Sequence, residues 1–456
     1  MAALPTQEFI IPRNSDIGAS KVSIEDGRAP DVARQPIIPN VCPPASKPCT
    51  YLCGNSLGLI SKRSQRLISE EMDVWGKRAV EGHFDHPHGR NWKDITDHVN
   101  PILASLVGAK LDEVACMGTL TANLHLLLNS FYKPTKERFK IVCEARAFPS
   151  DQYAFASQAQ SHGFDPRSAV IEISPRPGEF SLRETDILQV IEAHGGQIAV
   201  VLLSGVQYYT GQWFPMQRIT EAGHKVGAMV GWDLAHAIGN VPLSLHDWDV
   251  DFAVWCSYKY LNAGPGAIGG LFIHEKWHPT VLPRYAGWWG HDPTTRFDMP
   301  HDFSPIRGAQ GFQQSNPSVL ATTPLIGSLQ IFHEVGGMEP LRARSVLLTG
   351  GLEQALRASR FYVPVEQSIH HKAPGFTIIT PSNPEARGAQ LSLLVLPIEG
   401  TLMPTIVTYL KDRGVIVDER KPNVIRLAPT PLYSSEEDVR RGVAHLEEAF
   451  EAISSN

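Results

Sequence analysis

Apolar runs recur along the chain at Lys140 to Glu144, Ile198 to Leu203, Gly227 to Asp233 and Asp251 to Trp255, each bounded by polar or glycine-rich residues. Runs this short with no polar face predict strands buried on both sides, and the amphipathic stretches between them predict covering helices. Alternation of the two predicts an α/β fold around a sheet of mostly parallel strands. After about residue 330 the pattern changes. A helix near Leu341 to Ala358 is followed by strands around Ala389 to Leu396 and Asn423 to Leu427, with a helix from Thr401 to Arg413 between them. This predicts a smaller α+β domain. The first fifty residues are rich in proline and polar turns, as expected of an arm that packs on the body. The expected organisation is an arm at 1–50, a large domain at 51–330 and a small C-terminal domain at 331–456.

Chemistry concentrates where the predicted strands end. After the run Asp251 to Trp255 come Cys256-Ser257-Tyr258-Lys259-Tyr260, then the turn Gly264-Pro265-Gly266. A lysine at a buried strand end can form a Schiff base, because desolvation disfavours an ammonium and frees the amine for an aldehyde. Many lysines beside a Gly-Pro turn are simply solvated. Upstream, Asp233 directly follows another strand-like run and precedes Leu234-Ala235-His236. A carboxylate there suits pyridoxal phosphate, which acts as an electron sink while its ring nitrogen is protonated. It equally suits a helix N-cap. Met117-Gly118-Thr119-Leu120-Thr121 reads as a loop entering a helix, whose free amides and two threonine hydroxyls could cradle a phosphate or merely cap the helix. Taken together, the three features point to a pyridoxal phosphate site.

Other positions have two readings. Arg426, centred in the apolar run Asn423 to Leu427, requires an anion, either a substrate carboxylate or a salt-bridged Asp or Glu. The cluster Gly82-His83-Phe84-Asp85-His86-Pro87-His88 has the residue types of a metal site. Its proline and glycines make it a loop whose imidazoles need not converge, and no metal is expected.

The strings Tyr51-Leu52-Cys53-Gly54-Asn55-Ser56-Leu57-Gly58-Leu59, Ala147-Phe148-Pro149-Ser150-Asp151, Ser204 to Gln212, Asp233 to His236 and Ser257-Tyr258-Lys259 occur in the order found in kynureninases. The chain resembles that family from about residue 51 to Tyr433. The resemblance implies a fold-type-I pyridoxal phosphate enzyme, with a large domain around a mostly parallel mixed sheet and a smaller C-terminal α+β domain. It implies hydrolytic Cβ–Cγ cleavage of L-kynurenine or 3-hydroxy-L-kynurenine to L-alanine plus anthranilate or 3-hydroxyanthranilate. In the roles it implies, Lys259 carries the cofactor and shuttles protons with help from Tyr258, Asp233 pairs with the ring nitrogen, and Phe148 stacks on the ring. Pro149, Ser150, Asp151, Ser204 and His236 line the ring. Leu120, Thr121 and Tyr258 hold the phosphate, together with Trp288 and Asn316 across a homodimer interface. Arg426 takes the substrate carboxylate, and His83, Asn316 and Ser56 meet the rest of the substrate, with the 3-hydroxylated form preferred. Phe148 read alone could be core packing, and Trp288 an ordinary interface aromatic. Arg90-Asn91-Trp92 and Gly264-Pro265-Gly266 depart from the family's usual Arg-Pro-Trp and Gly-Ala-Gly.

Composition narrows the class without naming it. A 43% hydrophobic content over 456 residues is enough for a large core, and a formal charge of −6 argues against a nucleic-acid or anionic-membrane surface. Six scattered cysteines suit a reducing compartment, and Met1-Ala2-Ala3-Leu4-Pro5 lacks the basic and apolar regions of a signal peptide. A cytoplasmic enzyme is therefore expected. Two other classes stay open: a related type-I enzyme such as a cysteine desulfurase or aminotransferase, and a pseudo-enzyme that binds without turnover. A desulfurase would need a reactive cysteine in a mobile loop, whereas Cys256 sits in a buried pattern.

Overall fold

A computed structural model describes residues 49–455; the expected arm lies outside the described residues except at its last two positions. The main sheet has seven strands: β1 (Val114–Cys116), β2 (Lys140–Glu144), β3 (Val170–Ile173), β4 (Ile198–Ser204), β5 (Met229–Asp233), β6 (Phe252–Cys256) and β7 (Gly269–Ile273). Their spatial order is β1-β7-β6-β5-β4-β2-β3. The five from β6 to β3 are parallel, while β7 runs antiparallel to both of its neighbours. The sheet is therefore mixed and mostly parallel, as its apolar runs predict.

Side-chain alternation along β4 divides the core between the two faces of the sheet. Val200 and Leu202 pack with Leu124, Leu127 and Phe155 from the helices Leu120–Phe131 and Pro149–Ser161. Val201 and Leu203 pack on the opposite face with Ile187 and Ile219 from the helices Glu184–His194 and Met216–Lys225. Covering both faces is what lets these strands be apolar throughout. The run expected from Gly227 begins its ladder only at Met229, because Gly227 has φ +77° and turns the chain into the strand.

A second sheet of four antiparallel strands comprises β8 (Gly375–Ile378), β9 (Leu391–Leu396), β10 (Asp418–Arg420) and β11 (Val424–Leu427), in the order β10-β11-β9-β8. The helices Met338–Ala358, Leu402–Asp412 and Glu436–Ser454 supply Leu352, Ile406 and Leu446 to its core. Leu52 belongs to the same core, and Thr50–Tyr51 pairs in parallel with Val415–Ile416. The start of the described chain is thus tied to this second unit. No helix among the described residues is long and apolar enough to cross a membrane.

Candidate active site

Because β2, β4, β5 and β6 are parallel, their carboxyl ends share one edge of the sheet, and Glu144, Ser204, Asp233 and Cys256 end the four strands there. The strand following β2 in sequence lies on one side of it and β4 on the other. The topology therefore reverses beside β2, the place where open α/β sheets form their ligand crevice. A pocket with about 470 Å³ of empty space opens there. Helix starts close it. The helix Leu120–Phe131 brings Leu120 and Thr121 to the wall, and Pro149–Ser161 brings Phe148 and Ser150.

Lys259 lies in this pocket with Asp233 and the helix start. Its Nζ is 3.0 Å from His236 Nε2 and lies over the rings of Phe148 and Tyr258, 5.7 and 5.8 Å from their centroids. Phe148 is 42% exposed, so its ring is a free wall of the pocket and not core. Burial pushes the His236 imidazole well below its usual range, with Lys259 adding to the shift, and its Nδ1 is buried without a partner. The Tyr258 phenol is pushed up, chiefly by burial and then by Cys256, and so stays a neutral donor. Thr119 occupies the N-cap position but makes no capping hydrogen bond through its side chain. The first amides of that helix have no intrahelical partner, which leaves donors for an anion. Gly269 permits the arrangement, since a Cβ there would meet the Leu120 nitrogen at 3.2 Å and the Trp255 carbonyl at 2.7 Å.

Asp233 caps a turn, not the helix that its N-cap reading required, and it also faces the pocket. Its Oδ1 accepts a hydrogen bond from the Ala235 amide at 2.7 Å, as in a turn cap, and the carboxyl also lines the pocket. The Asp151 carboxyl bonds to it. Burial and the Asp233 charge push Asp151 well up, so Asp151 keeps the proton and donates it to Asp233. Asp233 is itself raised by burial, and the bond from Asp151, the Lys259 charge and the Ala235 amide oppose that shift. Asp151 stands behind Asp233 and does not itself line the cavity, while its Oδ1 is buried and unpartnered. A protonated ring nitrogen fits this acidic floor, a phosphate fits the helix start, and the amine lies between them.

Arg426 requires a correction. It is not a lone cation awaiting a ligand, because β10 pairs with β11 and brings Asp418 opposite it. Its Nε donates to Asp418 Oδ1 at 3.2 Å, and its Nη1 donates to the Tyr208 carbonyl at 2.7 Å. Nη2 is buried and lies 2.8 Å from Asp418 Oδ2, an ion-pair contact without an aligned hydrogen bond. In this structure the fork therefore makes the salt bridge. Tyr208, which the sequence did not single out, joins the two regions. Its ring meets that of Phe148 edge-on at 5.2 Å, and its carbonyl binds Arg426. The only hint was its place in the Ser204 to Gln212 string.

Several expected site residues lie elsewhere. Pro149 is the first residue of its helix and does not line the pocket. Trp288 is 46% exposed and Asn316 is exposed, and neither lines this chain's own pocket. Ser56 and His83 are half-buried and outside the pocket as well. His83 packs edge-on against Trp92 with ring centroids 5.2 Å apart. In its loop His86 does not gather the other histidines, since its Nε2 is 2.9 Å from the buried Glu71, to which Arg90 and Trp92 also donate. A separate group, Glu113, His246 and His274, does converge. There the backbone amides of Lys110, Glu275 and Lys276 already donate to Glu113 and His274.

The fold and this pocket define a pyridoxal-phosphate-dependent enzyme of fold type I. A family model described as aminotransferase class-V matches residues 61–288, and one described as the kynureninase C-terminal domain matches 341–446. Curated kynureninases of Vanderwaltozyma polyspora and Saccharomyces cerevisiae are each 52% identical, over 90% and 89% of this chain and 94% and 93% of theirs. That of Monosiga brevicollis is 46% identical over 99% of the chain and 94% of its own length. The chain belongs to the kynureninase family. Solved structures share the fold at greater distance: a C-DES mutant with TM-score 0.71 at 16% identity, covering 88% of this chain and 96% of its own, and a cysteine desulfurase from Thermococcus onnurineus with TM-score 0.68 at 18%, covering 89% and 95%. Among the described cysteines, Cys53 and Cys116 are both pushed up to about 12 by burial, and Cys143 and Cys256 are raised in the same way. None of these four has the activated thiol a desulfurase needs.

Proposed function

We propose that the protein hydrolyses the Cβ–Cγ bond of L-kynurenine and 3-hydroxy-L-kynurenine to L-alanine plus anthranilate or 3-hydroxyanthranilate. The 3-hydroxylated substrate is preferred, and the enzyme works as a cytoplasmic homodimer in tryptophan catabolism and NAD biosynthesis. The observation that carries this reading is the meeting of the Lys259 amine, the Asp233 carboxyl and the free helix start at Leu120 in one pocket, within a chain about half identical to kynureninases. When bound, pyridoxal phosphate supplies an electron sink while its ring nitrogen stays protonated.

The chain's own residues do the rest. Asp233, backed by protonated Asp151, keeps that nitrogen charged. Phe148 stacks on the ring and His236, Ser150 and Ser204 border it, while Leu120, Thr121 and Tyr258 hold the phosphate. Trp288 and Asn316 of the partner subunit complete the phosphate site. Arg426 takes the substrate's α-carboxylate, and Asp418 and Tyr208 hold the fork in place. Lys259 would hold the cofactor through its amine and would move protons at the α-carbon, with Tyr258 as second donor. His83, Ser56 and Asn316 face the aryl end, where a 3-hydroxyl would find hydrogen-bond partners.

Purified protein incubated with each substrate, with and without added pyridoxal phosphate, is expected to release the fluorescent aryl acid, faster from 3-hydroxykynurenine. Release of sulfide from cysteine with no aryl product would overturn the assignment. Size-exclusion chromatography with light scattering is expected to give twice the chain mass.

A further inference from the structure

Beside the pocket stands a buried acid that the mechanism does not use. Glu144 ends β2, is 2% exposed, and does not line the pocket. Its carboxyl accepts a hydrogen bond from the Ser204 hydroxyl and lies 3.3 Å from the Ser204 amide. Ser204 lines the cavity and is the register partner of Asp233 on the next strand. We propose that Glu144 is a positioning residue of the cofactor site, which orients Ser204 and adds a charge to the carboxyl cluster that Asp233 presents to the cofactor's ring. The proposal rests on the pyridoxal phosphate reading.

The argument is one of charge in a dry place. Glu144, Asp151 and Asp233 form a buried acidic cluster at one sheet edge, with Lys259 as the nearby cation. The other titratable groups around Glu144 are Cys143 on its own strand and, on β3, Glu172. Three carboxylates cannot all ionise beside a single ammonium, so protons stay in the cluster. Asp151 keeps one. Burial pushes Glu144 up to about 7, with Ser204 opposing the shift. Below that pH Glu144 is neutral and only holds Ser204; above it, its charge stabilises the cation at the Lys259–cofactor linkage and the protonated ring nitrogen.

Glu144→Gln keeps a side-chain acceptor for the Ser204 hydroxyl and removes the charge, so it separates electrostatics from shape. The loaded variant's visible absorbance is expected to titrate at a pH lower by about one unit than wild type, a charge–charge effect across one layer of side chains. Its dissociation constant for pyridoxal phosphate should match wild type near about pH 6 and exceed it by up to about tenfold near about pH 8. An unchanged titration midpoint in a folded, loaded Glu144→Gln protein overturns the proposal. Should that variant fail to fold, Ser204→Ala decides. Weaker cofactor binding with the wild-type midpoint supports the proposal, and unchanged binding overturns it. Failure of the cofactor reading itself is separately visible, because the visible band would then survive Lys259→Ala.

Discussion

Replacing Asp418 and Arg426 one at a time should damage different properties, because the two ends of their ion pair have different alternatives. Arg426 is fully buried, and Asp418 is its one carboxylate partner among the described residues. Asp418 also binds Arg420 at 3.2 Å. Asp418→Asn leaves two guanidinium groups beside each other without a counter-charge, and breaking a buried pair in this way costs about 3–5 kcal/mol. That is a large share of the roughly 5–15 kcal/mol that holds a folded protein together, and over a chain of 456 residues it corresponds to a melting temperature lower by about 3–5 °C. Arg426→Met leaves Asp418 still paired with Arg420, so its melting temperature should fall much less. Its loss is catalytic. Two charge-assisted hydrogen bonds to a substrate carboxylate are worth about 3 kcal/mol or more, so kcat/KM should fall by about 10²–10³, mainly through KM. Differential scanning fluorimetry and initial-rate kinetics on both variants test the contrast. If Asp418→Asn melts like wild type, the account of the ion pair is wrong, and if Arg426→Met keeps its KM, the assignment of the carboxylate site to Arg426 is wrong.

Lys259→Ala should abolish both the yellow absorbance of the loaded protein and turnover, checked by visible spectroscopy and the aryl-product assay. Gly269→Ala puts a methyl group 2.7 Å from the Trp255 carbonyl and 3.2 Å from the Leu120 nitrogen; overpacking of about 1–3 kcal/mol at the phosphate end should weaken pyridoxal phosphate binding about tenfold, read by equilibrium titration. In the apoenzyme, the Glu144 carboxyl at about 7 lies above its ordinary 4.5. Its stabilising contribution is therefore present below the lower value and lost as the pH rises through the higher one. Relative to Glu144→Gln, wild type should lose roughly 3 kcal/mol of stability across that window, measurable by urea denaturation at a series of pH values. Glu71→Gln should loosen the loop bearing His83, because the knot of His86, Arg90 and Trp92 closes on that one carboxylate. The expected sign is a reduced ratio of 3-hydroxykynurenine to kynurenine turnover.

The main-sheet strands and the lysine site were legible because burial on both faces writes itself as continuous apolar runs, and because the functional residues follow those runs directly. Asp233 and Lys259 could be paired from sequence for that reason. The two strands at the antiparallel end of the sheet were harder to read: Val114–Cys116 is only three residues long and Gly269–Ile273 begins with two glycines, so neither has a run long enough to separate from its loop. The partnership of Arg426 with Asp418 was hidden for a different reason. It depends on the antiparallel register of two short strands, and a one-residue slip would have turned Asp418 to the opposite face. Register of that kind is decided by the packing of the whole second sheet.

The same distinction explains why the acidic cluster could not be seen in advance. Glu144 reads as the polar end of a strand, Asp151 as an ordinary first-turn helix acid, and Asp233 as a cap, and each local reading is true. Only the parallel order β5-β4-β2 brings the three strand ends and the helix start together away from water. Buried there, the acids hold more protons than three isolated carboxyls would at neutral pH. A site that must keep a ring nitrogen charged needs such a reservoir of negative charge. It also needs that charge limited, since a fully ionised cluster would destabilise the sheet edge that carries it. Sharing protons between Asp151 and Asp233, with Glu144 titrating behind Ser204, meets both requirements with side chains that contribute to ordinary strand and helix ends.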